Sequence, residues 1–405
     1  MHKCRNCESD KISVVLDLGD QPWCNNFLTE DQIGKEEVYP LRLCHCADCE
    51  LLQLDYTIPK EKMFVNHQYL SGITQTLIRH FYDVAKENKE QFGLGPTDLI
   101  MDIGGNDGTQ LLQYKKLGLT NILNIESAWN VCNISEKSGV PTFNAFFNKE
   151  TIRAHFAPKS ARLINAAGVF FHLEELHSVI EGIKYVLRDD GVFVVQFMYA
   201  GAMIENHNFD TIYHEHLCYY TLHSIVKLLK PYGLEVFDAH YSDIHSGSIV
   251  AKVCHSDSDL KVETERFKKT LERDSKYTLD EFLKFAEAVR NKKNNLRNML
   301  VRLKNEGKKV YAYGAPAKGN TLLNYCGIDN TLVSKAVEVN ELKIGHYLPQ
   351  SYIPIVQESK DDIPDYYLLL AHNFVDEILE KNKGLKESGV KFIIPFPEAK
   401  IMELS

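Results

Sequence analysis

Nowhere in the 405 residues does an apolar run approach the roughly 18 needed to cross a bilayer. Met1 is not followed by a charged segment leading into a short apolar one. Neither a membrane span nor a secretory leader is expected, and a cytoplasmic location is. Positive charge is also scarce: 46 Lys and Arg against 55 Asp and Glu give a net charge of -9. Broad binding to nucleic acid or anionic membrane needs cations that displace counterions, so this balance argues against both. An anionic small molecule stays in play, because a few local groups suffice to hold one. Low-complexity tracts and repeats of solenoid length are missing too. With 44% hydrophobic and 25% charged residues, the chain is long enough for two or three domains with proper cores.

Ten cysteines are present, at positions 4, 7, 24, 44, 46, 49, 132, 218, 254 and 326, and half of them fall within the first 46 residues. In a reducing compartment such thiols persist instead of pairing. "KCRNC" and "CADC" each hold a CxxC pair, Cys4 with Cys7 and Cys46 with Cys49. Two such knuckles supply the four soft ligands of a tetrahedral zinc. A thioredoxin-type motif would want one CxxC beside a βαβ pattern, and nothing here fits. Cys44, inside "LCHCADC", has the wrong spacing for a knuckle and is read with His45 as a bystander. Four thiolates leave no open coordination position, so the zinc is expected to be structural. It would stabilise the intervening "VVLDLGDQPWCNNFL", too short to hold a core alone.

Beyond Cys49 the rhythm changes. "TDLIMDIGGNDGTQLLQYKKLG" reads as strand, glycine turn and helix, and "NILNIE", "ARLINAAGVF" and "GVFVVQFMY" follow as strands between helical or polar stretches. That is the pattern of a parallel α/β sheet. A charged segment from about Val262 to Gly307 reads as linking helices. "KKVYAYGAPAKGNTLLNY" then opens a second α/β unit, with "SKAVEVN", "DYYLLLAHN" and "VKFIIPF" as its further strands.

In "DIGGNDG", Asp102, Gly104 and Gly108 spell acid-x-Gly-x-x-x-Gly between strand and helix. Glycines there let the backbone approach a ligand at the helix N-terminus. A dinucleotide fold would want G-x-G-x-x-G for its pyrophosphate, and this loop does not spell it. S-adenosylmethionine has no phosphate, and Glu126, in "NILNIES", is placed to accept from its ribose hydroxyls. These features favour a methyltransferase cofactor site.

"FDTIYHEHLCYYTLHS" gathers Tyr213, His214, Glu215, His216, Tyr219, Tyr220 and His223 just after the strand "VFVVQFMY". Histidine and tyrosine at the carboxyl end of an α/β sheet lie where ligands bind. His-Glu-His does not match zincin spacing, which disfavours a second metal. A histidine oriented by a carboxylate can remove a proton, and a tyrosine can donate to a developing oxyanion. That is the kit for enolate chemistry. His172, in "VFFHLEE", is a candidate for the same cleft or a surface histidine, and Tyr69, in "HQYLSG", is a weaker one.

The combination of "CRNC…LDLGDQPWCNNF…CADCELLQL", "DIGGNDG", "YHEHLCYYTLHS", "IHSGSI" and "YAYGAPAKGNTLLNYCGI" resembles, along essentially the whole chain, the C-methyltransferases of nucleotide-linked 4-keto deoxysugars. The resemblance implies an α/β architecture: a zinc-binding domain over 1–65, a class I methyltransferase domain over 66–256, and a helical linker with a Rossmann-like nucleotide-sugar domain over 257–405. It implies His216 as general base with Tyr213 and Glu215, and His172 and Tyr69 beside the sugar. It further implies that Gly314, Lys318, Gly319 and Asn320 meet the nucleotide's phosphates. Two departures are visible: Ser246 precedes Gly247 where the family has two glycines, and Glu338 stands for an Asp. The expected activity is methylation at C3 through an enolate, by a monomer or small homo-oligomer. Its rivals are O-methylation of a sugar or small molecule, an inactive scaffold that keeps the cofactor fold, and a nicotinamide oxidoreductase. The zinc clamp is expected to wall the front of the cleft and bring the segment around Tyr69 toward the centre.

Overall fold

The computed structural model describes residues 3–64, 70–359 and 361–404. Among them the strands form three sheets, and no helix is long and apolar enough to cross a membrane. Tyr69 lies outside the described residues.

The central sheet has seven strands, in the spatial order Leu234–Ser242, Ser248–His255, Leu187–Met198, Ala161–Ala167, Ile100–Ile103, Ile122–Glu126, Thr142–Asn144. Its last five strands are parallel, which explains their nearly unbroken apolar runs: both faces are covered. Alternate residues feed two different cores. Ile164, Phe193 and Val195 join one, and Leu163, Val192 and Val194 join the other. Burying each such side chain contributes about 1.5–3 kcal/mol. The hairpin of Leu234–Ser242 and Ser248–His255 adds two antiparallel strands that the parallel rhythm did not predict. "IHSGSI" forms its turn. Ser246 there takes φ 66 and Gly247 φ 118, and a Cβ on Gly247 would stand 2.3 Å from the Ala202 Cβ. The first glycine position of the motif thus keeps a left-handed backbone although a serine fills it.

The chain leaves Ile100–Ile103 in one direction across the sheet and resumes in the other with Ala161–Ala167, so the order reverses between those two strands. A crevice at their carboxyl ends is where an α/β sheet takes a ligand. The third sheet, Ile355–Gln357, Ala336–Glu338, Val310–Tyr313, Tyr366–Leu369, Lys391–Ile394, Lys400–Glu403, repeats the device. Its order reverses between Val310–Tyr313 and Tyr366–Leu369. Between the two α/β sheets run the helices Glu265–Asp274 and Leu279–Asn305, the latter burying Phe282, Phe285, Val289, Leu296 and Leu300.

The cysteine-rich N-terminus is a sheet of its own, Ile12–Pro22, Val38–Cys46 and Leu52–Leu54, and it recruits a fourth strand, Cys218–Tyr219, from far along the chain. Leu52 pairs with Tyr219 and Gln53 with Cys218. One apolar core runs through all three sheets, including Leu43 and Leu52, Ile164 and Phe193, and Ala312 and Leu368.

Candidate active site

Four sulfur atoms come together first. Cys4 Sγ stands 3.5 Å from Cys49 Sγ and Cys7 Sγ 3.5 Å from Cys46 Sγ, and all four lie within 4.8 Å of one another. Tetrahedral zinc with Zn–S bonds near 2.3 Å wants sulfurs about 3.8 Å apart, so the four fit the ion. Cys44 is not among them, and His45 packs its ring against Phe282 at 5.5 Å.

The glycine loop forms the second feature. Gly104 takes φ 61, and a Cβ on it would meet Val169 Cγ2 at 2.7 Å; a Cβ on Gly105 would meet Asp102 Oδ2 at 2.7 Å. Gly108, φ 79, caps the helix Thr109–Lys116. Asp102 is 1% exposed, and neither of its carboxylate oxygens has a partner among the described residues. Burial, and after it the Glu126 charge, pushes its carboxyl well above the usual range. A buried acid without a donor is what remains where a ligand's N–H groups complete the site. The ammonium-bearing end of S-adenosylmethionine fits that need. Glu126 sits across the loop and accepts from the Asn106 N–H at 3.0 Å and the Ala128 N–H at 2.8 Å. The same loop also receives the chain that precedes the helix Gln75–Phe92, since Ser71 N–H donates to Asn106 Oδ1 and Gly72 N–H to Asp107 Oδ2.

The third feature is the segment from Tyr213 to His216, with Glu215 and His216 buried. His216 Nδ1 lies 2.7 Å from the Thr211 carbonyl, which can only accept, so Nδ1 carries the proton and the basic lone pair is on Nε2. The His172 ring lies 5.0 Å from it and the Tyr213 ring 3.8 Å. His172 Nδ1 donates to the Glu215 carbonyl at 2.6 Å, so its backbone-facing nitrogen is fixed in the same way. Burial, then the Glu215 charge, holds the Tyr213 phenol well above its ordinary value and keeps its proton on. Of the residues singled out in the sequence, His172, Tyr213, Glu215 and His216 are thus brought together.

Two partners of Glu215 escaped the sequence reading. Trp23 Nε1 donates to Glu215 Oε1 at 2.5 Å and Asn25 Nδ2 to the same oxygen at 2.6 Å. The segment "PWCNNF", which runs on from the strand Ile12–Pro22, thus reaches Glu215 from the N-terminal unit. The paired Asn25 and Asn26, three residues past Pro22, were the only local signal.

His214 points away, Nε2 3.3 Å from the Tyr39 carbonyl, and burial depresses it to about 4 from 6.5. Above pH 6.5 the ring is neutral in the folded and unfolded chain alike. As the pH falls from 6.5 to 4 the unfolded chain takes up a proton that the folded one refuses, so about 3 kcal/mol of stability is lost by pH 4. Urea midpoints at pH 7 and pH 4.5 should separate more widely for the native chain than for His214→Gln; equal separations would rule His214 out as the cause.

In the third sheet, Gly314 takes φ 82 and donates its N–H to the Val337 carbonyl at 2.9 Å, just as Gly104 donates to Ile125 at 2.8 Å. Glu338 accepts from the Ala315, Val339 and Asn340 N–H groups, the counterpart of Glu126. Gly319 and Asn320 stand in the first turn of the helix Ala317–Cys326, with Asn320 Nδ2 donating to the Cys24 carbonyl at 2.6 Å. Lys318 turns its ammonium inward, 3.0 Å from His372 Nε2.

With the geometry in hand, the chain can be compared with known proteins. Residues 4–64 match a zinc binding domain family, 77–239 a methyltransferase domain family and 243–397 the C-methyltransferase C-terminal domain family. Over 407 aligned residues it is 32% identical to the C-methyltransferase NovU of Streptomyces niveus, covering 99% of this chain and 96% of that protein. The chain belongs to this C-methyltransferase family. It is an S-adenosylmethionine-dependent enzyme with a structural zinc. Among solved structures, the geranyl diphosphate C-methyltransferase of Streptomyces coelicolor A3(2) is 7% identical, covering 47% of this chain and 90% of its own, at TM-score 0.35. A SAM-dependent methyltransferase of Aquifex aeolicus is 13% identical, covering 44% and 97%, at TM-score 0.33.

Proposed function

We propose that this C-methyltransferase acts on C3 of a nucleotide-linked 4-keto deoxysugar, in branched deoxysugar biosynthesis. The observation that carries the reading is the His216 imidazole, its tautomer set by Thr211 and its ring flanked by Tyr213 and His172. The C4 ketone acidifies the C3 proton, and His216 Nε2 removes it. Tyr213, which keeps its phenolic proton, or His172 donates to the enolate oxygen. When bound, S-adenosylmethionine supplies a methyl group on a sulfonium, whose sulfur leaves as a neutral thioether once carbon takes the methyl. The task left to the protein is alignment and exclusion of water. Asp102, Gly104, Gly108 and Glu126 would hold that cofactor.

The nucleotide's phosphates would lie at the N-terminus of Ala317–Cys326, against the backbone around Gly314, Gly319 and Asn320, with Lys318 in the same turn. A second α/β unit with its own glycine loop at a strand-order reversal supports a second, nucleotide-bearing ligand. The chain then divides into a zinc-binding unit (1–65), a cofactor unit (66–256) and a linker with a nucleotide-sugar unit (257–405).

Proton NMR in deuterated water tests the reading, with dTDP- and UDP-linked 4-keto-6-deoxyglucose as probes, with and without S-adenosylmethionine. A methyl singlet on a quaternary carbon with loss of the C3 proton is expected. An O-methyl signal, or silence at C3 with every probe, would overturn it in favour of O-methylation or a scaffold. Trp23→Phe and Asn25→Ala each remove one charge-assisted bond, and each should lower kcat about 10-fold with the KM for S-adenosylmethionine unchanged. Steady-state kinetics check this; unchanged kcat in both would detach the N-terminal sheet from catalysis.

A further inference from the structure

The turn Phe209–Thr211 leaves the central unit and enters the crevice of the third sheet. Phe209 sets its ring 5.3 Å from Tyr325 and 5.5 Å from Phe396. The next residue, Asp210, has a side chain that is 0% exposed, and its Oδ2 lies 2.7 Å from His372 Nε2 and 3.9 Å from Lys318 Nζ. His372 follows the strand Tyr366–Leu369 and Lys318 belongs to the helix after Val310–Tyr313, so the two flank the point where that sheet reverses. One imidazole nitrogen thus sits between a carboxylate and an ammonium. Asp210 Oδ1, on the other side, is buried with no partner among the described residues.

A half-satisfied buried carboxylate is a poor device for stability: apolar residues of similar volume would do as well or better. Its place in the chain offers another reason. The carbonyl of the very next residue, Thr211, is the acceptor that fixes His216 Nδ1, and it also lies 3.4 Å from the Tyr219 hydroxyl.

We propose that Asp210, His372 and Lys318 form a positioning cluster through which the C-terminal unit holds the Thr211 carbonyl, and with it the His216 imidazole. The proposal rests on His216 acting as the base. It ties the base to the loop proposed for the nucleotide, since Lys318 belongs to both. None of the three residues touches the reacting carbon in this role; they act through Thr211.

The test uses the full-length zinc-loaded protein and three variants: Asp210→Asn, His372→Gln, and the charge-balanced pair Asp210→Asn with Lys318→Met. C3 proton exchange of dTDP-4-keto-6-deoxyglucose in deuterated water, without S-adenosylmethionine, reads the base alone. Steady-state kinetics give kcat and KM, calorimetry gives cofactor affinity, and thermal unfolding gives stability. Misplacing a reacting group by an ångström loses about 100-fold in rate, so exchange and kcat should fall about that far in all three variants, with cofactor affinity within about twofold throughout and KM for the sugar within about twofold in Asp210→Asn and His372→Gln, which keep Lys318. Asp210→Asn alone should also melt earlier, because it leaves the Lys318 ammonium without its anion; the paired variant should regain the melting temperature but not the exchange rate. Recovery of both, a rise in KM at unchanged kcat, or wild-type exchange in Asp210→Asn or His372→Gln overturns the cluster's role. A His216→Asn control separates the two ideas. Wild-type exchange in that control would sink the base assignment, whereas its loss alongside a fully active Asp210→Asn would sink only the cluster.

Discussion

His216→Asn is expected to lower C3 proton exchange and methyl transfer by about 1,000-fold, the weight general base catalysis ordinarily carries. Asparagine is the informative replacement because its side-chain amide can still donate to the Thr211 carbonyl, 2.7 Å from His216 Nδ1 in the native site. What disappears is the lone pair at the Nε2 position. The Glu215 contacts with Trp23 and Asn25, and the His172 contact with the Glu215 carbonyl, involve other atoms and should persist. Cofactor affinity, proposed to rest on the loop at Asp102 and Gly104 on other elements, should stay within about twofold in a calorimetric titration. A variant keeping more than about a tenth of the native exchange rate would move the base elsewhere, with His172 next in line at 5.0 Å between ring centroids.

Zinc removal should be as damaging, by a different route. Structural zinc contributes about 10–16 kcal/mol to small metal-organised domains, comparable with the whole stability of a typical fold. Chelation, or Cys4→Ser with Cys46→Ser, should therefore unfold the N-terminal sheet and not merely loosen it. The damage would not stay local. Leu52 and Gln53 pair with Tyr219 and Cys218, three and two residues beyond His216, and the Leu54 N–H donates to the Leu217 carbonyl. Losing that sheet frees one side of the segment from Tyr213 to His216 and takes Trp23 and Asn25 from Glu215. Activity should fall below detection with a separate early transition in calorimetry, and added zinc should restore both in the chelated protein. Full activity in a metal-free protein would leave the knuckles no part in shaping the cleft.

Much of this was legible because it is local. A CxxC spacing, a glycine loop between strand and helix, and the alternation that puts Leu163 and Ile164 in different cores all depend on residues a few positions apart. Their chemistry is settled before the chain folds. "YHEHLCYYTLHS" was conspicuous for the same reason, although density alone did not say which of its histidines would face His172. His216 and His172 face one another, while His214 turns to Tyr39 and His223 binds Asp274. Backbone direction within a tight turn decides that.

The sequence by itself determined the zinc clamp, the two glycine loops with their acids, and the histidine-rich segment in which the base is proposed. The tertiary structure alone decided which distant side chains meet that segment. Trp23 reaches Glu215 across 192 residues and His372 reaches Asp210 across 162, and neither Trp23 nor His372 sits in a pattern that announces its partner. Such contacts pair side chains whose separation is fixed by how three sheets share one core. A motif records the bonding possibilities of its own residues, whereas the position of a distant donor is a property of the packed whole.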